Sequence, residues 1–414
     1  MKSWRLALGL LIVFGLDRRA WAGGYDTPML YSARHMGMGG AAVAYVDDPS
    51  ALFHNPAGLA GIKRLSLLGD FSLLLGGITS APEDGVSGVD SDLLVAPFFL
   101  VGAGYRLLDG LTIGAAVYPV ASANATYQYA NAERRPVTNS TKLVFIETTI
   151  GAGINIDAIR LNLGAGYRLT FVNLARDQVV DGKDQLGFDM SGWNVASFRV
   201  GAQWEAIPKH LKLGFSYRHK TVTEVKQDSL TVWPILGGTA TDGSAEFILP
   251  GRLIFGLRGD YKNFGAALDL EYALSSQNKD TTIRAKLTNG TEAALLNIFE
   301  WDNAITLRLG GEYRFALSKT RTLIPRLGFV YDARTSTKQY PTAFGTPPAP
   351  TFVLTAGAGY ETGPYRVNVA YGYRFGSTTV AKEDLESNCV SCSKAGDYAI
   401  FLNGIYLDVS YDFH

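Results

Sequence analysis

The sequence predicts an all-β protein, a 14-stranded antiparallel transmembrane β-barrel with an N-terminal hatch plugging the lumen. Three observations carry this. Glycine is abundant at 46 residues and Tyr and Phe stand at 21 each, while Met and Cys are scarce at 5 and 2, a composition suited to strands. Although 47% of residues are apolar, no run beyond Ala22 approaches the roughly 20 apolar residues of a membrane helix. Apolar and polar residues instead alternate, segment after segment. Lys+Arg and Asp+Glu both total 38, so the formal net charge is zero. Neither a basic nucleic-acid binder nor an acidic tail would have a field to act through.

Residues 1–22 read as a signal peptide. Lys2 and Arg5 precede the apolar run Leu6–Leu16, and Ala20-Trp21-Ala22 forms a cleavage site before Gly23. Residues 23–62 do not alternate. Glycines at 37, 39 and 40 and the turn-forming Asp47-Asp48-Pro49 and Asn55-Pro56-Ala57-Gly58 describe a compact segment of small residues. Such a piece ahead of a wide barrel is expected to be its hatch, with Asn55, Pro56 and Ala57 forming a tight turn.

Residues 63–414 supply the wall. Between Trp301 and Phe315 one face carries Ile305, Leu307, Leu309 and Tyr313, and the other Thr306, Arg308, Glu312 and Arg314. The pattern recurs in about fourteen segments, near 63–76, 92–106, 110–122, 141–157, 160–176, 188–206, 210–226, 244–261, 263–276, 300–316, 322–335, 350–361, 364–378 and 398–413. Short connections alternate with long polar ones, as in outer-membrane barrels. In hydrocarbon every backbone group needs a partner, so the first and last strands have to pair. Fourteen strands enclose a lumen too wide for wall side chains to fill.

The stretch from Gly37 to Ala60, with its Asn55-Pro56-Ala57, resembles the N-terminal hatch of the FadL-type outer-membrane transporters of long-chain fatty acids and other hydrophobic compounds. Further matches are Leu249-Pro250-Gly251-Arg252, Trp301-Asp302-Asn303 with Arg308 to Arg314, and Arg326 to Tyr331. The resemblance implies an integral protein of a Gram-negative-type outer membrane. It also implies lumenal binding, hatch rearrangement and lateral release into the bilayer. The expected partners are a long-chain fatty acid or other hydrophobic ligand and outer-membrane lipid, with the chain acting as a monomer. No nucleic acid and no cofactor are expected. The alternative is a FadL-like barrel that serves a protein-secretion system as partner or cargo-carrier, without small-molecule transport.

Polar-face parity points Glu147, Arg168, Arg199, Arg258, Asp269, Glu271, Arg308, Glu312 and Arg326, among others, into the lumen. Arg168, Arg199, Arg258 and Arg308 are the candidates to meet a ligand's carboxylate. The plainer role for any one of them is to pair with acids and lock strands and hatch together. An enzyme would need a nucleophile with a placed His. His35 and His54 fall in the hatch, His210 in a turn, His414 at the end and His219 on the lipid-facing side, and no Gly-x-Ser-x-Gly occurs. No catalytic residue and no metal site are expected. Cys389 and Cys392 in a long loop read as a local disulfide. Thr291–Phe299 reads as a short helix capped by Thr291.

Pro97 and Pro119 mark a lateral gate. Pairing across a turn between Leu108 and Asp109 sets Pro97 opposite Val120 and Pro119 opposite Phe98. Two mid-strand prolines then face each other without ladder donors. Such a gap persists in a membrane only where backbone faces a cavity or ligand path. The resemblance implies the same place, because the family's third strand is kinked to open the wall.

Overall fold

In the computed structural model the described residues are 31–227, 231–233, 238–342, 344–386 and 394–413. The expected signal peptide and the Cys389–Cys392 pair lie outside them. The wall comprises β1 (Leu65–Ser80), β2 (Leu94–Leu108), β3 (Leu111–Ala130), β4 (Pro136–Ile156), β5 (Leu161–Val180), β6 (Lys183–Ile207) and β7 (Leu211–Arg218 and Thr221–Gln227). It continues through β8 (Gly238–Leu249 and Arg252–Tyr261), β9 (Phe264–Ala273 and Asp280–Leu287), β10 (Glu292–Ile298 and Ala304–Tyr313), β11 (Arg321–Asp332), β12 (Thr351–Thr362), β13 (Tyr365–Val380) and β14 (Gly396–Phe413). The sheet closes where β1 pairs antiparallel with β14, from Leu65–Phe413 to Thr79–Ala399. Closure pairs the first strand with the last, as a membrane barrel requires.

The alternation maps onto two environments. Phe71, Phe255, Ile305 and Leu327 are exposed on the outer face, while Arg168, Asp269, Glu271 and Arg308 are buried inside. Tyr261, Phe264, Tyr313, Phe315, Tyr365 and Phe413 are exposed beside the short turns and form an aromatic girdle at one membrane interface.

The strands differ from the sequence reading in three ways. Those on the long-loop side run farther, with β6 reaching 25 residues. β7 to β10 are each interrupted, β8 at Pro250-Gly251, where proline withdraws a ladder donor. Residues 291–299 are not helical. Glu292–Ile298 is a strand paired with Asp280–Leu287, with Ala293 and Leu295 packed on the core and Leu296 exposed. A period of two satisfies both faces there, and the neighbouring strand supplies backbone partners a lone turn of helix would lack.

Residues 31–62 lie within the wall and are almost entirely buried. They form α1 (Ala33–Met36), α2 (Ala51–His54) and a 3-10 turn, Pro56–Gly61. Strand glycines let this inner segment sit against the wall backbone. A Cβ built on Gly214 would lie 2.4 Å from the Val43 carbonyl oxygen, and one on Gly328 would lie 2.1 Å from the Gly39 nitrogen. Only residues without side chains admit such an approach.

Candidate functional site

The lumenal charges form two chains of contacts. In the first, the Arg168 guanidinium donates to Glu147 Oε2 through Nε at 2.8 Å and Nη2 at 2.5 Å, and through Nη1 to the His219 carbonyl at 2.8 Å. The Tyr118 hydroxyl donates to Glu147 Oε1 at 2.5 Å. In the second, Glu312 accepts from Arg258 at 2.7 Å and Arg326 at 2.8 Å. Arg326 donates to Asn368 Oδ1 and Asn368 Nδ2 to Asp408 Oδ1. Asp408 Oδ2 accepts from the Ser32 hydroxyl at 2.6 Å and the Arg34 amide at 2.9 Å. This chain runs from β8 to β14 and ends on the inner segment. Burying charges is costly unless each is paired; Glu147 and Glu312 meet arginines, while Asp408 is held by hydrogen bonds from Ser32, the Arg34 amide and Asn368.

The four candidate arginines therefore part company. Arg168 is consumed by Glu147, Arg258 by Asp260 and Glu312, and Arg308 by Glu271. Arg199 is buried at 4% exposure with no ion pair among the described residues, and its guanidinium lies 5.3 Å from the centre of the Phe53 ring. Its cavity is small, about 40 Å³, and Arg218, Arg252, Arg308, Asp269, Glu271 and His54 share it.

Asn55 ties the inner segment down. Its Oδ1 accepts from the Ala57 amide at 3.2 Å, and its Nδ2 donates to the carbonyls of Val43 at 2.8 Å and Ala202 at 3.0 Å. Pro56 opens the 3-10 turn. His54 Nε2 lies 2.8 Å from the Tyr31 carbonyl, to which it donates, and its ring is 5.0 Å from that of His35. Burial holds the His54 pKa down at about 4, with the Arg199 charge acting the same way, and burial likewise lowers His35.

Pro97 and Pro119 border a discontinuity in the wall. β2 pairs with β3 only from Val101–Val117 to Leu108–Leu111. Above Val101, β2 remains paired with β1 through Leu94, and above Val117, β3 remains paired with β4 through Ala130. A bridge between Ser91 and Tyr127 and an Asp92 amide bond to the Thr126 carbonyl close the top. The result is a window about seven residues tall. The register differs from the sequence reading. The turn is centred between Asp109 and Gly110, with Leu108 opposite Leu111, and a bulge between Arg106 and Leu108 takes back only half of that displacement, so the pairing ends one residue off; neither proline has a partner across the window. Pro97 pairs with Leu73, and Pro119 pairs with Ile146 at a second bulge.

Behind the window lies a mainly apolar cavity of about 110 Å³. Leu94, Ala96 and Phe98 line it from β2, and Ser122, Ala123 and Asn124 from β3. Tyr31 and Met36 form its floor, Gly345 and Thr346 enter from the β11–β12 loop, and Tyr406 closes the back. Its cation, Arg374, is held by Asp332 at 2.9 Å and Thr351 at 2.8 Å. The lateral gate expected at Pro97 and Pro119 falls on the borders of this gap in the ladder. Nothing local in the sequence marked Tyr31 or the β11–β12 loop, because long-range closure brings them there.

Residues 16–413 match the family described as Outer membrane protein transport protein (OMPP1/FadL/TodX). Among solved structures, the chain resembles a Pseudomonas aeruginosa FadL homologue at 16% identity and a TM-score of 0.73, covering 95% of this chain and 100% of that one. It resembles the Pseudomonas putida toluene transporter TodX at 16% identity and a TM-score of 0.66, covering 93% and 99%. The Ralstonia pickettii toluene transporter TbuX is similar at 14% identity and a TM-score of 0.67, covering 94% and 100%. No protein of curated function matches the sequence.

Proposed function

The chain belongs to the OMPP1/FadL/TodX family of outer membrane transport proteins, and from that premise we propose that it carries compact, neutral hydrophobic molecules inward through the lumen and releases them sideways into the bilayer. The family places the barrel in the outer membrane as a channel for hydrophobic compounds, and it is not a family of enzymes. The observation that carries the proposal is the apolar cavity lying directly behind a window in the backbone ladder. The placing of the cavity against a gap in the ladder favours transport over a secretion-partner role, which would need no path into the bilayer.

We take residues 23–62 as the hatch; its described part, residues 31–62, sits inside the wall and would obstruct the straight route, which makes the window the shorter way out. Cavity size and charge argue for the substrate class. A site of about 110 Å³ is comparable to the roughly 150 Å³ engineered apolar cavity that accepts benzene. A carboxylate finds no free cation there, since Arg374 is already bound, and unpaired charge in an apolar site is costly. Arg199, the one ligand candidate without an ion pair among the described residues, lies over the ring of Phe53. Two of the similar solved proteins are named as toluene transporters, consistent with a ligand of one-ring size.

Uptake into liposomes bearing the full barrel tests this with ethylbenzene against dodecanoate. Faster ethylbenzene flux, unchanged in Arg199→Met, is expected. Preferred dodecanoate flux that Arg199→Met abolishes would reassign the substrate to fatty acids.

A further inference from the structure

Tyr31 is where the hatch reaches the window. Its ring is fully buried, packs edge-on against Phe53 at 5.1 Å and lies 6.0 Å from Tyr118. Its hydroxyl donates to the carbonyl of Pro119, at the window's lower edge. Proline brings no N–H to the wall, and β2 offers Pro119 no partner, so this contact supplies from the lumen what the neighbouring strand does not. The other end of the residue is fixed too, since His54 donates to the Tyr31 carbonyl. The next residue, Ser32, holds φ at +61°, a left-handed conformation that a non-glycine residue keeps only when its surroundings enforce it. Here the enforcement comes from Asp408 of β14, which accepts from the Ser32 hydroxyl and the Arg34 amide.

We propose that Tyr31 is the bolt of the lateral window: its hydroxyl pins the bulged edge of β3 to the hatch, and its withdrawal opens the cavity to the bilayer. The proposal rests on lateral release and adds the residue that couples hatch position to the wall. Tyr31 acts on the path rather than on the ligand, which makes it a positioning residue. A turn held under strain by Asp408 is suited to this task, because a shift of the hatch that frees Ser32 also withdraws the hydroxyl.

The test places bimane at Ala96→Cys in the full barrel, reconstituted with lipid carrying a mid-chain nitroxide. Quenching reports contact between the window and acyl chains, and heat-modifiable mobility reports folding. Tyr31→Phe keeps the ring and removes the hydroxyl. It is expected to raise the quenching rate about five-fold, the shift that one net hydrogen bond is worth. Phe53→Leu disturbs the same ring packing but keeps the hydroxyl, and is expected to lower the thermal midpoint with quenching unchanged. Equal quenching in wild type and Tyr31→Phe, or an equal rise in Phe53→Leu, overturns the bolt alone. Absence of quenching in every variant, with all of them folded, overturns lateral release itself and the bolt with it.

Discussion

A few buried side chains decide how the inner segment is held, and burial lowers the pKa of two of them, His35 and His54. His54 donates to Tyr31 and is faced by Arg199, Arg308 and Asp48, with the His35 ring 5.0 Å away. A histidine with a depressed pKa binds fewer protons when docked than when free. Docking is therefore fully supported above about 6.5 and weakens as the pH falls from there to about 4. The depression amounts to roughly 3 kcal/mol. Protection of the amides of residues 31–62, taken as exchange relative to each amide's intrinsic rate at the same pH, should fall across that interval, and His54→Gln should flatten the slope. Protection indifferent to pH, or an unaltered slope in the variant, contradicts this. Which arginine stands free was not legible in the sequence. Strand parity points Arg168, Arg199, Arg258 and Arg308 inward alike, and only the folded distances separate the three that meet acids from Arg199, which meets Phe53.

The wall elements were the most legible part of the chain, because a strand between lipid and lumen must alternate and each outward residue is selected by the same solvent. Legibility failed where another force competed. At Glu292–Ile298 small and leucine residues satisfy helical and strand periods equally, and pairing with Asp280–Leu287 decides. Pro97 and Pro119 lie beside the gap in the ladder, but the turn sits one residue further along than alternation suggested and the bulge after Arg106 offsets this only in part, since neither leaves much trace in composition. The inward glycines carried a signal that alternation alone does not use: Gly214 and Gly328 stand where the backbone of the inner segment touches the wall. Gly214→Val tests that reading, because the Val43 carbonyl oxygen is 2.4 Å from where a Cβ would lie. The barrel should still assemble, as β7 keeps its pairing with β6 and β8. The hatch should be displaced, however, and conductance in planar bilayers should rise several-fold. Unchanged conductance in a folded variant would show that the segment does not plug the pore at Gly214.

At the scale of the whole molecule, a closed sheet, an internal segment and an incomplete ladder form one device. Closure of β1 on β14 satisfies backbone that lipid cannot, and the charge chain from β8 to β14 ends on the hatch at Ser32 and Arg34. The wall is interrupted between β2 and β3 where the cavity meets it. The proposed route runs from the β11–β12 loop into the cavity and out between Ala96 and Ser122. The direct measurement is hydrocarbon uptake by the full barrel carrying Ala96→Cys and Ser122→Cys, oxidised to bridge the window and then reduced. Uptake is predicted to fall at least ten-fold on oxidation and to recover on reduction, while ethylbenzene binding in the cavity persists; undiminished uptake through the bridged barrel would contradict lateral release.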